Sequence, residues 1–221
     1  MATNESDGKL KRASVVISLI LLIGLAFTFK QPLLVRYDVK IILFFEGIRT
    51  EFLNDFFFLF TEIGSIKVLR PLAVIVSAFL LMKKRYLEIF FFLLAFLGVR
   101  GVNYLLKQAF ERERPSFNSI IEAGSYSFPS GHAMNSTAFF GFLFYLFIHI
   151  LKVGQKHRLV WLTVTITIVV LIAISRVYLG VHYLTDIVAG ACGGLLYLFI
   201  VIYLYKLSSR HMRQEEGKGT S

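Results

Sequence analysis

The sequence predicts an all-α integral membrane protein: six transmembrane helices, an interfacial helix between the first and the second, and a site gathered at the external helix ends. Three observations carry that prediction. Of the 221 residues 56% are hydrophobic, and the mean hydropathy of +0.68 is too apolar for a soluble domain of this size. The apolar residues fall into runs of the roughly 20 residues needed to cross the hydrocarbon core of a bilayer. The 24 Lys and Arg residues, against 14 Asp and Glu, cluster between those runs. That is the pattern of membrane topology; a nucleic-acid surface would need a soluble basic face with interleaved aromatics, and none is visible. The formal charge of +10 is therefore read without a nucleic-acid partner. The single cysteine, Cys192, lies inside an apolar run and has no partner for an internal disulfide.

Taken in order, residues 1–12 are polar and bring Lys9, Lys11 and Arg12 up to the first run, Ala13 to Phe29. No small-x-small cleavage pattern precedes Lys30, so the run is expected to be an uncleaved span. Residues 30–51 mix charged and apolar side chains and are expected to lie along the membrane surface. Phe52 to Met82 is longer than one span and is interrupted at Glu62-Ile63-Gly64-Ser65. An interfacial helix is expected before that break and the second span after it. The third span runs from about Tyr86 to Leu106, with Arg100 and Asn103 in its second half, and a polar loop follows over 107–131. The fourth runs from about Ala133 to Ile150 and the fifth from Leu159 to Ile174. The sixth runs from Tyr183 to about Tyr205, after a loop at 175–186. Within the sixth, Gly190 and Gly194 stand four apart, the spacing that lets helix backbones approach closely. The whole of 1–221 is read as one membrane-embedded domain.

Orientation follows from the cations. Thirteen of the 24 Lys and Arg residues fall in four short flanks: three before the first span, three at 83–85, three at 152–158, and four in the tail at 206–221. By the positive-inside rule those flanks, including both tails (about 1–12 and 206–221), are expected to be cytoplasmic. The 107–131 and 175–186 segments then share the extracytoplasmic face.

Those two segments carry the chemistry. His182 and Asp186 are four residues apart, so on a helix the carboxylate reaches the imidazole, fixes its tautomer and leaves the other ring nitrogen free to attack. Alone, such a pair also reads as a satisfied polar contact. Arg176 stands upstream. In the polar loop Lys107, Arg112 and Arg114 bracket a turn, and Pro129-Ser130-Gly131-His132 leads into the fourth span, with Ser130 as its expected N-cap. Singly, Lys107 also fits a snorkelling lysine, and Arg112 and Arg114 a turn salt-bridged to Glu111 and Glu113. Together they place two histidines, an aspartate and several cations at helix ends on one face, where ionisable groups are costly and generally functional.

Lys107-x6-Arg114-Pro115, Pro129-Ser130-Gly131-His132 and Ser175-Arg176-x5-His182-x3-Asp186 resemble, in order and in spacing, the three-part signature of the type 2 phosphatidic acid phosphatase superfamily. The six-span layout resembles its membrane lipid phosphatase branch rather than its soluble haloperoxidases. The resemblance implies a phosphohistidine mechanism in which His182 is the nucleophile, Asp186 orients it, and His132 protonates the leaving oxygen. Lys107, Arg114, Arg176 and the backbone at Ser130 and Gly131 would cradle the phosphate, with no metal and no cofactor. It implies a membrane lipid phosphate as partner, with phosphatidylglycerophosphate, undecaprenyl pyrophosphate, phosphatidic acid and diacylglycerol pyrophosphate as the candidates. The first of these, dephosphorylated to phosphatidylglycerol, is the expected substrate. Two rival readings are a metal site on His132, His182 and Asp186, disfavoured by three nearby cations, and a transporter, for which no inverted repeat is evident. Nothing in the sequence sets an oligomeric state.

Overall fold

The computed structural model describes residues 2–218 apart from Phe117; Met1, residues 219–221 of the basic tail, and the side chains of residues 2–7, Leu10, Arg213, Glu216 and Lys218 fall outside the described residues. Among the described residues all regular structure is helical. In chain order the helices are α1 (Ala2–Thr28), α2 (Pro32–Gly47), α3 (Glu51–Ile63), α4 (Ile66–Met82), α5 (Tyr86–Leu93), α6 (Val99–Phe110), α7 (Gly131–Tyr145), α8 (Arg158–Tyr178) and α9 (Leu184–Lys218).

Five stretches are long and apolar enough to cross a membrane: Lys11–Thr28, Tyr86–Phe110, Gly131–Ile150, Gln155–Tyr178 and Leu184–Met212. α3 and α4, bent by 45° at the break between them, pass the same test only as a pair, so the described residues hold five or six candidate crossings, the sixth being the expected second span. The sequence reading gave that span to the residues after the break alone. The 17 residues of α4 rise about 26 Å, the short end of what a span needs, and α3 continues from them across the bend.

Residues 30–51 also differ from a simple surface segment. Pro32 starts α2, its fixed φ suiting the first helical turn, and α2 buries Asp38 and Ile42 against the bundle. Thr50 then caps α3 through Oγ1, which accepts from the Leu53 N–H at 3.3 Å.

Local sequence explains the other irregularities. α5 and α6 are joined by a π-turn over Leu94–Gly98, which disturbs the carbonyl ladder. The Tyr197 hydroxyl donates to Leu94 O at 2.9 Å and satisfies one carbonyl there. Gly98 makes room for it, since a Cβ would lie 2.0 Å from that hydroxyl. α6 runs through Phe110, one turn past the expected end, so Lys107 is a helical residue rather than a loop residue. Glu111, at φ 46°, ends it in the left-handed region. Likewise α8 continues through Tyr178 and holds Ser175 and Arg176 inside the helix. It closes with Gly180 at φ 78°, the Gly180 N–H donating to Val177 O at 3.0 Å and the Val181 N–H to Arg176 O at 3.1 Å. This is a Schellman ending, and it fixes His182 just beyond the helix that carries Arg176.

The tightest helix contact is between α7 and α9. A Cβ on Gly190 would lie 2.5 Å from Ser130 O, and one on Gly194 2.4 Å from Met134 O. The expected small-residue face is therefore where two backbones meet. In the half of the bundle nearer the basic flanks, Phe92, Phe139, Phe142, Leu80 and Leu146 pack a dry aromatic core. At the other end the C-termini of α3, α6 and α8 converge with the N-termini of α4, α7 and α9.

Candidate active site

The convergence of helix ends encloses a cavity of about 430 Å³, and His182, His132, Lys107, Arg114, Arg176 and Gly131 all line it. Three separate stretches of sequence thus meet in one place.

His182 lies between α8 and α9 and is 2% exposed. It is not on the helix, as the sequence reading had it, because α9 begins at Leu184. The four-residue reach survives because Asp186 folds back onto the chain before α9: its Oδ2 accepts from the Tyr183 N–H at 2.8 Å. The same oxygen lies 3.3 Å from His182 Nδ1 and accepts from the Ser127 hydroxyl at 2.5 Å. Ser127 Oγ is also 3.2 Å from Nδ1. On the opposite edge of the ring, Arg114 Nη1 stands 3.3 Å from Nε2 while donating to Val181 O at 2.7 Å. One neutral tautomer suits both edges: Nδ1 protonated toward Asp186, and Nε2 with its lone pair toward Arg114 and the cavity.

Burial is the largest influence on the His182 ring and lowers its pKa to about 3; hydrogen bonding and attraction from Asp186 oppose the shift, while Arg114 and Arg176 add to it. The ring is therefore neutral at ordinary pH. Burial also lowers Arg114 from its usual value, Asp186 partly offsetting the effect.

The remaining cations are positioned by the scaffold. Lys107 donates to Tyr126 O and, at 3.4 Å, to Ser127 O. Arg114 Nε donates to Ser125 O at 2.8 Å. Arg176 Nη1 donates to Thr61 Oγ1 at 2.6 Å, and its Nε is buried with no partner. His132 lies against the α3–α4 break, where a Cβ on Gly64 would come 3.3 Å from its ring.

Ser130 departs from expectation. It stands at the start of α7 but its hydroxyl makes no capping bond and is buried without a partner. Its N–H donates to Asp186 O at 3.0 Å, which withdraws that group from the cavity. Ser130 instead ties α7 to α9, leaving Gly131 and His132 as the residues of that turn that face the space.

Behind His182 lies a layer the sequence reading missed. Arg112 donates to Asp186 Oδ1 at 2.6 Å, to Asp38 Oδ2 at 2.9 Å and to Thr185 Oγ1 at 2.7 Å. Asp38 also accepts from the Thr185 N–H at 3.0 Å and from the Thr185 hydroxyl at 2.5 Å. The Arg112 guanidinium lies over the Tyr183 ring, 4.0 Å from its centroid, and 5.2 Å from that of Phe29. The left-handed turn at Glu111 is what sends Arg112 into this layer. Arg114, two residues on, reaches the cavity side. Alternation with Glu111 and Glu113 had made both arginines readable as a surface turn, and Asp38, 148 positions before Asp186, gave no local signal at all. Ser127 was visible only as a neighbour of the Pro-Ser-Gly-His turn. Among the described residues no group of three His, Cys, Asp or Glu side chains converges as a metal site; Asp186 spends its oxygens on Ser127, Arg112, Tyr183 and His182.

Comparison with known proteins places the chain in a family. The family model described as the PAP2 superfamily matches residues 85–210. Phosphatidylglycerophosphatase B of Bacillus subtilis (strain 168) is 37% identical over 154 residues, covering 70% of this chain and 76% of that protein. Lipid A 4'-phosphatase of Bacteroides thetaiotaomicron is 30% identical over 195 residues, covering 78% of this chain and 79% of that protein. The crystal structure of a transmembrane PAP2 type phosphatidylglycerolphosphate phosphatase from Bacillus subtilis matches the fold with a TM-score of 0.83 at 32% identity, covering 87% of this chain and 96% of that one. The structure of Aquifex aeolicus LpxE is similar in fold, with a TM-score of 0.61 at 24% identity over 75% of this chain and 94% of that one. With its three motifs assembled at one end of a multi-pass helical bundle, the chain belongs to the PAP2 superfamily and is a membrane hydrolase of lipid phosphate esters.

Proposed function

We propose that this protein removes the terminal phosphate of phosphatidylglycerophosphate at the extracytoplasmic face of the membrane, through a phosphohistidine formed on His182. The observation that carries the reading is the two-sided environment of that ring: a carboxylate on Nδ1, and an arginine beside Nε2 at the wall of a cation-lined cavity. The similarity to phosphatidylglycerophosphatase B supports the choice of substrate.

Phosphoryl transfer asks for charge neutralisation and alignment more than for covalent help. Lys107, Arg114 and Arg176 supply the first, and the buried, hydrogen-bonded imidazole supplies the second. Nε2 attacks phosphorus in line, the P–N bond forms as the P–O bond to glycerol breaks, and His132 gives its proton to the departing oxygen. Asp186 stabilises the positive ring so formed. His132 then takes a proton from water as that water attacks phosphorus, the P–N bond breaks, and inorganic phosphate leaves. General acid–base help of this kind is worth about 10²–10⁴-fold.

Rapid-quench trapping of an acid-labile phosphoenzyme from labelled substrate tests the mechanism. Label is expected in the wild type and none in His182→Ala; label that persists in His182→Ala would assign the nucleophile elsewhere. Undecaprenyl pyrophosphate is the second substrate to set beside it. A pyrophosphate expels a phosphate whose oxygen needs little protonation, so His132→Ala should spare it relative to a monoester.

The basic flanks lie at the end of the bundle opposite the site, which supports cytoplasmic termini. Cysteines placed at Ser116 and Lys156, with Cys192 removed, should label from opposite sides with an impermeant thiol reagent. Labelling of Ser116→Cys only after the membrane is opened would reverse the assignment.

A further inference from the structure

The cavity is larger than the phosphate cradle needs. Beyond His132 and Arg176 it is walled by Arg100, Asn135 and the α3–α4 break at Gly64, Ser65 and Ile66. Arg100 precedes Lys107 by seven residues on α6, which puts its Cα about 10 Å further from the site end of the bundle. Asn135 lies nearly one turn inside His132 on α7.

This inner wall is rich in unused donors. Among the described residues the Arg100 guanidinium has no hydrogen-bond or ion-pair partner, although a charged side chain within a membrane span is costly and normally paired. Its strongest charged neighbour is another cation, Arg70 of α4. Ser65 Oγ and Asn135 Oδ1 are buried with no partner, and a buried polar atom in that state calls for an explanation. α4 starts at Ile66, so its first N–H groups, which no helical carbonyl can satisfy, are at the same wall. The acid on this side, Glu62, is within electrostatic reach of Arg176. The unpaired Arg100, a helix start and orphaned polar atoms together make a place for an anion, inward of the one proposed to hold the scissile phosphate.

Resting on the phosphatase reading above, we infer that Arg100, Ser65, Asn135 and the start of α4 form a second anion subsite that binds the phosphodiester of a glycerolipid carrying both a terminal phosphomonoester and a diester. The order along the cavity agrees with the order along such a lipid. The terminal phosphate sits outermost at His182, the diester follows toward the membrane interior, and the acyl chains leave from there. In a lipid pyrophosphate the two phosphates share one oxygen and are too close to occupy both subsites. Phosphatidic acid has no second phosphate to offer. The subsite therefore selects for a bis-phosphorylated glycerolipid against both.

The test compares phosphatidylglycerophosphate, phosphatidic acid and undecaprenyl pyrophosphate in mixed micelles, using wild type, Arg100→Met, Arg100→Lys and Asn135→Leu. Because ratios between substrates are measured on one preparation, a smaller folded fraction does not disturb them. Arg100→Met should raise KM for phosphatidylglycerophosphate at least tenfold with kcat within about twofold, and should leave kcat/KM for the other two lipids within about twofold. Arg100→Lys should recover part of the KM, and Asn135→Leu should change it in the same direction by less. An equal loss on all three lipids, no loss on any, or a loss on undecaprenyl pyrophosphate matching that on phosphatidylglycerophosphate would overturn the subsite. The phosphatase reading fails differently: the wild type would turn over none of the three, or His182→Ala would still form a phosphoenzyme.

Discussion

On one side of His182, Asp186, Ser127, Arg112, Thr185 and Asp38 are bonded to one another; on the other, Arg114, Arg176, Lys107 and His132 stand around an open cavity. The sealed side has two carboxylates and one guanidinium, all buried, and so a formal charge of −1. The open side has three cations. In the proposed mechanism, one negative charge behind the ring matches the imidazolium that phosphorylation would create, and a cation-rich front matches the incoming phosphate. Arg112 and Arg114 make the contrast sharp, since they are two residues apart and do opposite work. Arg112 neutralises protein charge, whereas Arg114 has no carboxylate partner and faces the cavity, where the proposed mechanism sets it against substrate charge.

The largest expected effect comes from exchanging that division of labour. Arg112→Leu strands two buried carboxylates and should cost about 3–5 kcal/mol of stability, the usual penalty for breaking a buried ion pair from one end. Arg114→Leu should cost less stability, about 1–2 kcal/mol for the carbonyls of Ser125 and Val181 that it strands, while lowering kcat by about 10²–10³, the range for losing one preorganised donor to a transition state. Thermal melts and lipid turnover on the two variants decide the matter. If both lost stability equally, or both lost activity alone, the two sides would not be distinct.

Asp38→Asn is the next step down. It keeps the shape and removes one charged acceptor from Arg112 and Thr185, for a loss of about 1.5–3 kcal/mol. Turnover should fall with KM unchanged, because Asp38 is behind the ring and away from the cavity. A shift confined to KM would place Asp38 on the substrate side instead.

The pH dependence of stability probes the ring itself. With a folded pKa of about 3 against an ordinary 6.5, His182 is neutral in both states above pH 6.5. As pH falls from there toward 3, the unfolded chain takes up a proton that the folded chain refuses, and stability is lost by up to about 1.4 kcal/mol per pH unit. Relative to His182→Gln, the wild type should therefore lose melting temperature between pH 7 and pH 5. Parallel curves would mean that the ring is not held neutral.

Ser127→Ala should have the smallest effect, about 1 kcal/mol of stability, since Asp186 keeps its bonds to Arg112 and Tyr183. Turnover should drop a few-fold. A collapse comparable to that expected of His182→Ala would raise Ser127 from support to an essential partner.

What could be read from the sequence divides along the same line. The open side was legible because its residues sit in short motifs whose spacing survives folding: Lys107 with Arg114, Pro129 to His132, and Arg176 with His182 and Asp186. The sealed side was not, apart from Asp186, which the last of those motifs includes. Asp38 reaches Thr185 and Arg112 only through tertiary contact across 147 and 74 positions, and within its own segment it looks like any polar residue of a surface helix. The spans were legible as apolar runs, but their ends were not. α6 and α8 each run about one turn past the predicted boundary because Lys107 and Arg176 find carbonyl and hydroxyl partners at the bundle end. Ser130 was legible as the N-cap position of α7 but not in what it does there: its hydroxyl accepts no bond from the helix, and its backbone N–H, expected to face phosphate, is claimed by Asp186 O.

α9 is unbroken from Leu184 to Lys218, so Asp186 and Lys206 are fixed to one rod. Twenty residues of helix separate them, about 30 Å, which is the thickness of an average hydrocarbon core. With the lysine held among headgroups of one leaflet, the depth of the carboxylate in the other is set by a ruler that neither stretches nor folds. A thinner or thicker bilayer changes the match, and the rod answers by tilting. Gly190 and Gly194, where its backbone presses on α7, lie within that length. Membrane thickness thereby becomes a variable of the reaction: it sets how far the phosphate of a lipid in that leaflet must rise or sink to meet His182.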